Sequence, residues 1–124
     1  MKTILVADDQ DIVRELVQVI FGDSGFRVLE AASGAQALAL AREHAPDLIL
    51  LDVTLPVGPD GLTVCRELKG NPHTQGGIVV LLSARGLREE VEAGYSAGAD
   101  DYVVKPFSPA VLIDRIRRLL GEEV

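Results

Sequence analysis

Continuous apolar segments alternate along this chain with segments in which apolar residues recur at helical spacing. The continuous segments are short and show no polar alternation, which is typical of parallel strands covered on both faces. They are residues 4–7, 27–31 (the weakest), 48–51, 78–82 and 102–104. A helical segment follows each of them, so the pattern predicts five strand–helix units. Such alternation indicates a parallel sheet with right-handed connections and helices on both faces.

Each helical segment carries an apolar stripe, and we expect every stripe to pack in the core. In chain order the stripes are Ile12, Val13, Leu16, Val17 and Ile20; Ala37, Leu38 and Ala41; Leu62, Cys65 and Leu68; Val91 and Tyr95; and Leu112, Ile116, Leu119 and Leu120. Asp11 and Ser33 are predicted N-caps of the first two helices. Ser108 before Pro109 predicts a cap and a first-turn proline at the start of the last helix.

The composition fits one packed domain and excludes several classes of protein. The chain has 124 residues, of which 48% are hydrophobic and 25% are charged, so a folded core is expected. The 19 acidic residues exceed the 12 basic ones, and the formal net charge is −7. This balance argues against direct binding to nucleic acid or to an anionic membrane, because both require clustered cations. The single cysteine, Cys65, excludes an internal disulfide framework and a multi-cysteine zinc site.

No segment of the sequence has the pattern of a secretory signal or of a membrane span. The first apolar run, residues 4–7, is interrupted by Asp8 and Asp9 and is shorter than the roughly 7–15 residues of a signal-peptide core. No apolar run approaches the roughly 18 residues that indicate a transmembrane helix. We therefore expect a cytoplasmic protein that does not contact the membrane.

Three acidic residues follow two of the predicted strands. Asp8 and Asp9 come directly after the first strand, and Asp52 comes directly after residues 48–51. If these strands are neighbours, the carboxylates share one crevice at the carboxyl edge of the sheet. Like charges in one crevice need a compensating cation, and carboxylate ligands suit Mg²⁺. The alternative is that each acid is a solvated loop residue or a helix cap, which is the interpretation we favour for Asp11.

A hydroxyl and an ammonium group follow two further strands. Ser83 follows residues 78–82, and Lys105 follows residues 102–104. Each side chain can hold an oxygen of a phosphoryl group. Pro106 biases the backbone of Lys105 away from the helical region and favours a bend there. Taken singly, a turn serine and a surface lysine are the ordinary interpretations, but their position beside the acids favours a phosphoryl site.

Five segments of the sequence resemble the receiver domain of two-component response regulators. They are VADDQ (6–10), LILLDVTLP (48–56), DG (60–61), LLSA (81–84) and GADDYVVKPF (98–107), in the order and nearly the spacing of that family. The resemblance covers most of the chain and implies one receiver domain over residues 1–124. It also implies a doubly wound, flavodoxin-like (βα)5 fold of the α/β class, with a parallel sheet in the strand order 2-1-3-4-5.

The resemblance implies a phosphoacceptor and a metal site. Asp52 matches the residue that accepts the phosphoryl group. Asp8 and Asp9 match the acidic pair that binds Mg²⁺ together with Asp52. The backbone carbonyl of Thr54 is a further expected ligand of the cation.

The resemblance also implies roles for residues around the phosphoryl group. Ser83 matches the hydroxyl residue that bonds it, and Lys105 matches the lysine that pairs with it. Tyr102 matches the aromatic residue that reorients on activation, and we expect it to follow an inward movement of Ser83. Thr54 and Arg85 stand at positions that, in this family, flank the phosphoryl group and modulate its lifetime. For Arg85, the alternative of a solvated arginine at the start of a helix fits the sequence at least as well.

A receiver domain is a phosphorylation-dependent switch rather than an enzyme with a separate substrate. The resemblance implies that the chain catalyses its own Mg²⁺-dependent phosphorylation and dephosphorylation. The expected donor is a histidine kinase or a histidine phosphotransfer protein, and the expected output is a downstream protein partner or effector domain. The face made by helix 4, strand 5 and helix 5, within residues 91–118, is a candidate homodimer surface.

One departure from the family pattern concerns the loop after the phosphoacceptor. In the family, the aspartate of the DG pair usually lies seven positions after the phosphoacceptor, whereas Asp60 lies eight positions after Asp52. The loop of residues 55–60 is therefore predicted to be one residue longer, with the insertion at Gly58 or Pro59. The change leaves residues 52–54 in the family pattern and alters only the outer loop.

Other classes of protein fit the sequence less well. A haloacid dehalogenase-type phosphatase needs a second aspartate where this chain has Thr54. A nucleotide-binding enzyme needs a glycine-rich turn after the first strand, and the chain has no GxxxxGK. Ser83 lies outside any GxSxG context, and neither His44 nor His73 falls at a strand end beside it. The alternative that remains is a receiver-like adaptor that binds a partner without being phosphorylated.

Overall fold

The computed structural model describes residues 1–121 and places five parallel strands in one sheet, in the order β2-β1-β3-β4-β5. The strands are β1 (Thr3–Ala7), β2 (Arg27–Ala31), β3 (Leu48–Asp52), β4 (Ile78–Ser83) and β5 (Asp101–Val104). The helices are α1 (Asp11–Gly22), α2 (Gly34–His44), α3 (Gly61–Gly70), α4 (Arg88–Ser96) and α5 (Pro109–Leu119). Within the described range, none of these helices is both long and apolar enough to cross a membrane. The predicted α/β fold and strand order are confirmed, and residues 122–124 of the predicted domain lie outside the described range.

The burial of each strand follows its place in the sheet. The interior strands β1, β3 and β4 are almost completely buried, because helices cover both faces of the sheet. Their sequences are accordingly continuous aliphatic runs rather than alternating ones. Strand β2 lies at an edge and keeps exposed residues, which explains why its apolar pattern is the weakest of the five.

Two apolar clusters lie on opposite faces of the sheet. One cluster joins α2 and α3 to the strands through residues such as Ala41 and Leu5. It also contains Cys65, where burial raises the pKa of the thiol to about 11. The other cluster joins α1 and α5 to the opposite face through residues such as Val17 and Ile116. The core is therefore a three-layer arrangement with the sheet in the middle.

Helix α1 buries a different stripe from the predicted one. Its fully packed residues are Val13, Val17 and Phe21, which are spaced four residues apart on one side of the helix. Ile12 lies about 100° away around the helix axis and is 73% exposed, so the expectation that it packs in the core is wrong. Phe21, which was absent from the predicted stripe, forms a T-shaped ring pair with Phe26 at a centroid distance of 5.6 Å.

Helix α4 also differs from its predicted stripe. Val91 packs against the core, but Tyr95 is 47% exposed, so its predicted burial is wrong. The buried residue of this helix is Gly94. A Cβ atom at Gly94 would lie 2.9 Å from side-chain carbons of both Leu81 and Tyr102. Helix α4 approaches the sheet through Gly94, which has no side chain and so does not contribute to an apolar pattern. The pattern therefore predicted burial at Tyr95, one position after the residue that is buried.

The starts of α1 and α2 use different chemistry. Ser33 caps α2 as predicted, since its hydroxyl oxygen accepts a hydrogen bond from the Gln36 N–H at 3.2 Å. The prediction that Asp11 caps α1 is wrong, because Gln10 occupies the N-cap position. Asp11 is the first helical residue, and its carboxylate forms an ion pair with Arg14 in the same turn.

The starts of α3 and α5 also differ from one another. Asp60 caps α3, and its carboxylate accepts a hydrogen bond from the Thr63 N–H at 2.9 Å. That backbone hydrogen bond holds the pKa of Asp60 below its ordinary value. Ser108 occupies the predicted N-cap position of α5, with Pro109 in the first turn, but its side chain makes no capping hydrogen bond.

The longer loop of residues 55–60 lies against the start of α2. Leu55 is buried and anchors the beginning of the loop in the core. Gly58 has a φ of +78°, a conformation that glycine adopts without strain. The carbonyl of Pro59 lies so close to Gly34 that a Cβ atom at position 34 would collide with it. Two glycines therefore allow this close packing, Gly58 in the loop and Gly34 at the start of α2.

Candidate functional site

Four strands bring polar side chains to one edge of the sheet. Asp52 ends β3, and Ser83 ends β4. Asp8 directly follows β1, and Lys105 directly follows β5. Because these strands are parallel neighbours, the four residues lie at the carboxyl edge of the sheet. The strand order reverses between β1 and β3, which is where open sheets of this kind bind ligands.

The structure brings together the three predicted metal ligands, Asp8, Asp9 and Asp52. Within residues 1–121, each of the three offers one carboxylate oxygen, and these three oxygens lie within 4.8 Å of one another. Asp8 is fully buried and Asp52 is 3% exposed, whereas Asp9 faces solvent. Buried carboxylates at this separation repel each other unless a cation or a proton lies between them. A set of oxygen ligands with one member in solvent is compatible with a divalent cation that keeps part of its water.

The ammonium group of Lys105 compensates part of this negative charge. Its Nζ lies 2.7 Å from Asp8 Oδ2 and 3.6 Å from Asp52 Oδ2. The lysine side chain is only 16% exposed, so solvent screens these contacts weakly. One ammonium against three carboxylates leaves the cluster with net negative charge, and the donor set therefore fits a bound divalent cation.

Thr54 orients the carboxylate of Asp52. Its backbone N–H and its hydroxyl group donate hydrogen bonds to Asp52 Oδ1 at 3.1 and 3.2 Å. The two oxygens of Asp52 thus have different surroundings, since Oδ1 accepts from Thr54 and Oδ2 faces Lys105. The family resemblance implied a role for the Thr54 carbonyl and an effect of Thr54 on phosphoryl lifetime, but it did not indicate this hydroxyl contact. The sequence feature that could have indicated the contact is a threonine two positions after an aspartate at a strand end.

Helix α3 packs directly on the peptide that follows Asp52. The Gly61 N–H donates a hydrogen bond to the carbonyl of Val53 at 3.0 Å. A Cβ atom at Gly61 would collide with the Asp52 carbonyl and would lie 2.7 Å from the Val53 Cα. Because Gly61 has no Cβ atom, the start of α3 can pack directly against the backbone at the end of β3.

Ser83, Arg85 and Tyr102 form a connected group beside the acidic cluster. Ser83 is 2% exposed, and its Oγ accepts a hydrogen bond from the Arg85 N–H at 3.0 Å. The Tyr102 hydroxyl donates to the Arg85 carbonyl at 2.8 Å, and the tyrosine is buried. The Arg85 guanidinium is exposed and lies 3.8 Å from Glu90. The backbone of Arg85 thus connects the two residues for which the sequence analysis expected coupled movement.

Gln10 belongs to the site and was missed by the sequence analysis. Its backbone N–H donates to Asp8 Oδ1 at 2.9 Å, and its side-chain oxygen lies 3.3 Å from Lys105 Nζ. Gln10 is also the N-cap residue of α1, so the helix start is tied to both members of the buried ion pair. The signal in the sequence was its position directly after the acidic pair and before a helix.

A cavity of about 680 Å³ opens beside the cluster and reaches solvent. Asp9, Asp52, Thr54 and Lys105 form its polar side. Its apolar side is lined by residues of α1 and of the segment after β5, namely Ile12, Val13, Leu16, Pro106 and Phe107. The peptide bond between Lys105 and Pro106 is cis. The site is therefore accessible to a large group that approaches between α1 and the Lys105 segment.

The fold and the edge site together define a doubly wound α/β domain with an acidic, lysine-paired site at its switch point. Residues 4–117 match the family described as the response regulator receiver domain. The chain therefore belongs to the receiver domain family of response regulators, which confirms the resemblance in the sequence.

The relatives include transcription regulators and isolated receiver domains. The phosphate regulon transcriptional regulatory protein PhoB of Pseudomonas aeruginosa is 40% identical over 119 residues, which cover 96% of this chain and 52% of that protein. The DNA-binding response regulator MtrA of Mycolicibacterium smegmatis is 41% identical over 117 residues, covering 94% and 50%. The BeF3-activated receiver domain of DrrB from Thermotoga maritima superposes with a TM-score of 0.87 at 35% identity, covering 98% and 99%. The chain therefore spans about half the length of PhoB and of MtrA.

Proposed function

We propose that this chain is a signalling switch that accepts a phosphoryl group on Asp52 in a Mg²⁺-dependent reaction. The proposal assigns one receiver domain to residues 1–124. The observation that carries it is the environment of Asp52, a buried carboxylate with Oδ1 held by Thr54 and Oδ2 3.6 Å from Lys105. Membership of the receiver family supports the same role.

The proposed reaction transfers a phosphoryl group from a phosphohistidine of a kinase or phosphotransfer protein. A carboxylate oxygen of Asp52 attacks the phosphorus, and a new P–O bond forms as the P–N bond breaks. The bonding electron pair leaves with the imidazole nitrogen, which takes up a proton, and the product is a mixed anhydride. A Mg²⁺ ion held by Asp8, Asp9, Asp52 and the Thr54 carbonyl would supply positive charge that reduces the repulsion between the carboxylate and the phosphoryl oxygens.

Two side chains of the site would hold the added phosphoryl group. Lys105 Nζ already lies between Asp8 and Asp52, so an oxygen added at Asp52 would come within reach of the ammonium. The Ser83 hydroxyl accepts from Arg85, which leaves its own proton available for a second phosphoryl oxygen. Attack of water on the phosphorus returns Asp52 and inorganic phosphate, and Thr54 and Arg85 would modulate the rate of that hydrolysis.

The group of Ser83, Arg85 and Tyr102 provides the proposed route from phosphorylation to the surface. A phosphoryl group on Asp52 that binds the Ser83 hydroxyl would also hold the Arg85 backbone, which is hydrogen-bonded to both Ser83 and Tyr102. Because Tyr102 is already buried here, phosphorylation would stabilise this arrangement relative to one in which the ring is released. The α4–β5–α5 face would then change its affinity for an effector domain or a second copy, and homodimerisation through it stays a prediction.

The proposed donor docks on the apolar side of the cavity. Ile12 is 73% exposed at the mouth of the site, on the first turn of α1. Pro106 and Phe107 line the same cavity. Binding of a partner here would bury apolar surface while bringing its phosphohistidine to Asp52.

The proposal is tested by incubating the protein with Mg²⁺ and a small acyl phosphate and then measuring the intact mass. We expect a phosphoryl adduct that hydroxylamine removes, that requires Mg²⁺ and that is absent from Asp52→Ala. Asp23→Asn is the matched control, because Asp23 is an exposed carboxylate at the far end of α1. Its adduct should equal that of the original protein.

The same experiment separates the switch from an adaptor. If neither the acyl phosphate nor a phosphorylated histidine protein produces an adduct, the proposal fails and the adaptor function is supported. An adduct that persists in Asp52→Ala would also contradict the proposal, because it would place the phosphoryl group on another residue.

A further inference from the structure

Arg14 of α1 makes an unusual set of contacts for an arginine on a surface helix. Its side chain is only 15% exposed. The Nη1 atom donates a hydrogen bond to the backbone carbonyl of Asp8 at 2.6 Å. The same guanidinium group forms an ion pair with Asp11, and its Nε lies 3.4 Å from Glu30 Oε1 on β2. The two carboxylates thus hold the guanidinium group against the loop that follows β1.

The carbonyl that Arg14 binds belongs to the peptide unit that joins Asp8 to Asp9. On its other side, the backbone of Asp8 is held by a hydrogen bond from its N–H to the Ala31 carbonyl at 3.0 Å. Asp8 is fully buried, so its carbonyl depends on a donor from the protein. The orientation of this peptide unit sets the directions in which the buried Asp8 and the exposed Asp9 present their carboxylates.

We propose that Arg14 is a positioning residue for the metal site, which fixes the Asp8–Asp9 peptide so that both carboxylates converge on one cation. The inference rests on the proposed function, because it takes the cluster of Asp8, Asp9 and Asp52 as the binding site for Mg²⁺. Groups that orient metal ligands from outside typically change metal affinity by about 10- to 100-fold when they are removed.

Charge and geometry predict opposite effects of removing Arg14. A cation close to an acidic cluster repels Mg²⁺, so its loss should tighten binding if charge alone matters. Loss of the hydrogen bond to the Asp8 carbonyl frees the peptide and should weaken binding. The sign of the change therefore distinguishes the positioning role from a simple electrostatic one.

The test measures the dissociation constant of Mg²⁺ by isothermal titration calorimetry for the original protein, Arg14→Gln and Arg14→Lys. We expect binding to weaken by about 10-fold in Arg14→Gln, despite the loss of a positive charge. Arg14→Lys keeps the charge but lacks the fork that reaches a carbonyl and two carboxylates at once, and we expect it to weaken binding as well. Arg118→Gln is the matched control, since it removes an exposed arginine at the far end of α5 and should leave the constant unchanged.

A second measurement needs no metal. The hydrogen bond to the Asp8 carbonyl polarises the peptide unit that carries the Asp9 N–H, so we expect the Asp9 amide signal to shift in metal-free NMR spectra of both Arg14 variants. Tighter or unchanged Mg²⁺ binding in Arg14→Gln, or a constant in Arg14→Lys equal to that of the original protein, would overturn the inference. If the original protein binds no Mg²⁺, the proposed function fails instead, and the Asp9 signal still reports whether Arg14 fixes the loop.

Discussion

Lys105 and Asp8 form an ion pair in which the carboxylate is completely removed from water. Such a pair gains little net stability over an apolar pair, but the loss of one partner leaves an uncompensated buried charge. The pairing compensates part of the negative charge of the three carboxylates at this edge of the sheet. It also places an ammonium group where the proposed phosphoryl group requires one, so a single residue serves both the resting and the modified site.

We predict that Lys105→Met destabilises the protein in Mg²⁺-free buffer. The expected loss in the free energy of unfolding is about 3–5 kcal/mol, because Asp8 and Asp52 lose their cationic partner. Urea unfolding monitored by circular dichroism measures it. Lys2→Met removes an exposed lysine and is the control. The double variant Asp8→Asn with Lys105→Met should recover much of the loss, and a double variant as unstable as Lys105→Met alone would contradict the explanation.

At the scale of elements, each helix start near the site is adapted to what lies beside it. Gln10 is the N-cap residue of α1, and its backbone N–H and side-chain oxygen contact Asp8 and Lys105, while only its carbonyl accepts from the first turn of the helix. α2 begins after the serine cap Ser33, and Gly34 makes room for the carbonyl of Pro59 in the loop of residues 55–60. α3 is capped by Asp60 and begins at Gly61, whose lack of a side chain lets the helix pack closely against the end of β3. Helix starts thus support the site, while the sheet carries most of its polar side chains.

Two serines at helix starts are expected to differ in their contribution to stability. Ser33→Ala removes a capping hydrogen bond and should lower the free energy of unfolding by about 1 kcal/mol. Ser108→Ala is the matched substitution, and it should cost much less because the Ser108 side chain makes no capping hydrogen bond. Urea denaturation of both variants at neutral pH measures the difference. Equal losses would show that the hydroxyl contact at Ser33 contributes nothing of its own.

At the scale of the whole molecule, the site joins the two apolar clusters that cover opposite faces of the sheet. The cluster with α2 and α3 contains Ala7, which directly precedes Asp8, and the cluster with α1 and α5 contains Val6 and Val13. Because the ligands come from β1 and β3, a cation that binds them connects the folded parts on both sides of the strand-order reversal. Metal binding should therefore be linked to global stability.

We predict that Mg²⁺ raises the free energy of unfolding of the original protein, by about 2.7 kcal/mol at 100 times its dissociation constant. Asp9→Asn should abolish most of this stabilisation, because it removes the solvent-facing ligand while leaving the buried pair intact. Asp23→Asn should retain it. Urea unfolding at increasing Mg²⁺ concentrations measures the effect, and a stabilisation that is equal in all three proteins would indicate nonspecific binding.

The positions of the strands and of the candidate ligands could be predicted from the sequence alone. Continuous aliphatic runs predict strands that are buried on both faces. A parallel sheet places the residues at the ends of these strands at one edge, so the sequence predicts that Asp8, Asp52, Ser83 and Lys105 lie there. Family motifs supplied the strand order and the proposed roles. The strand positions and the residues at the strand ends depend on local pattern and on chain order, and both can be read from the sequence.

The tertiary structure decided which side of each helix is buried and which atoms meet at the site. One helical residue corresponds to about 100° of rotation, so the exposure of Ile12 and the burial of Phe21 depend on how α1 sits on the sheet. The contact of the Thr54 hydroxyl with Asp52 depends on the turn of its loop. The reach of Arg14 to the Asp8 carbonyl depends on the distance between α1, β1 and β2. Those distances arise only when separate elements pack together, so no local pattern contains them.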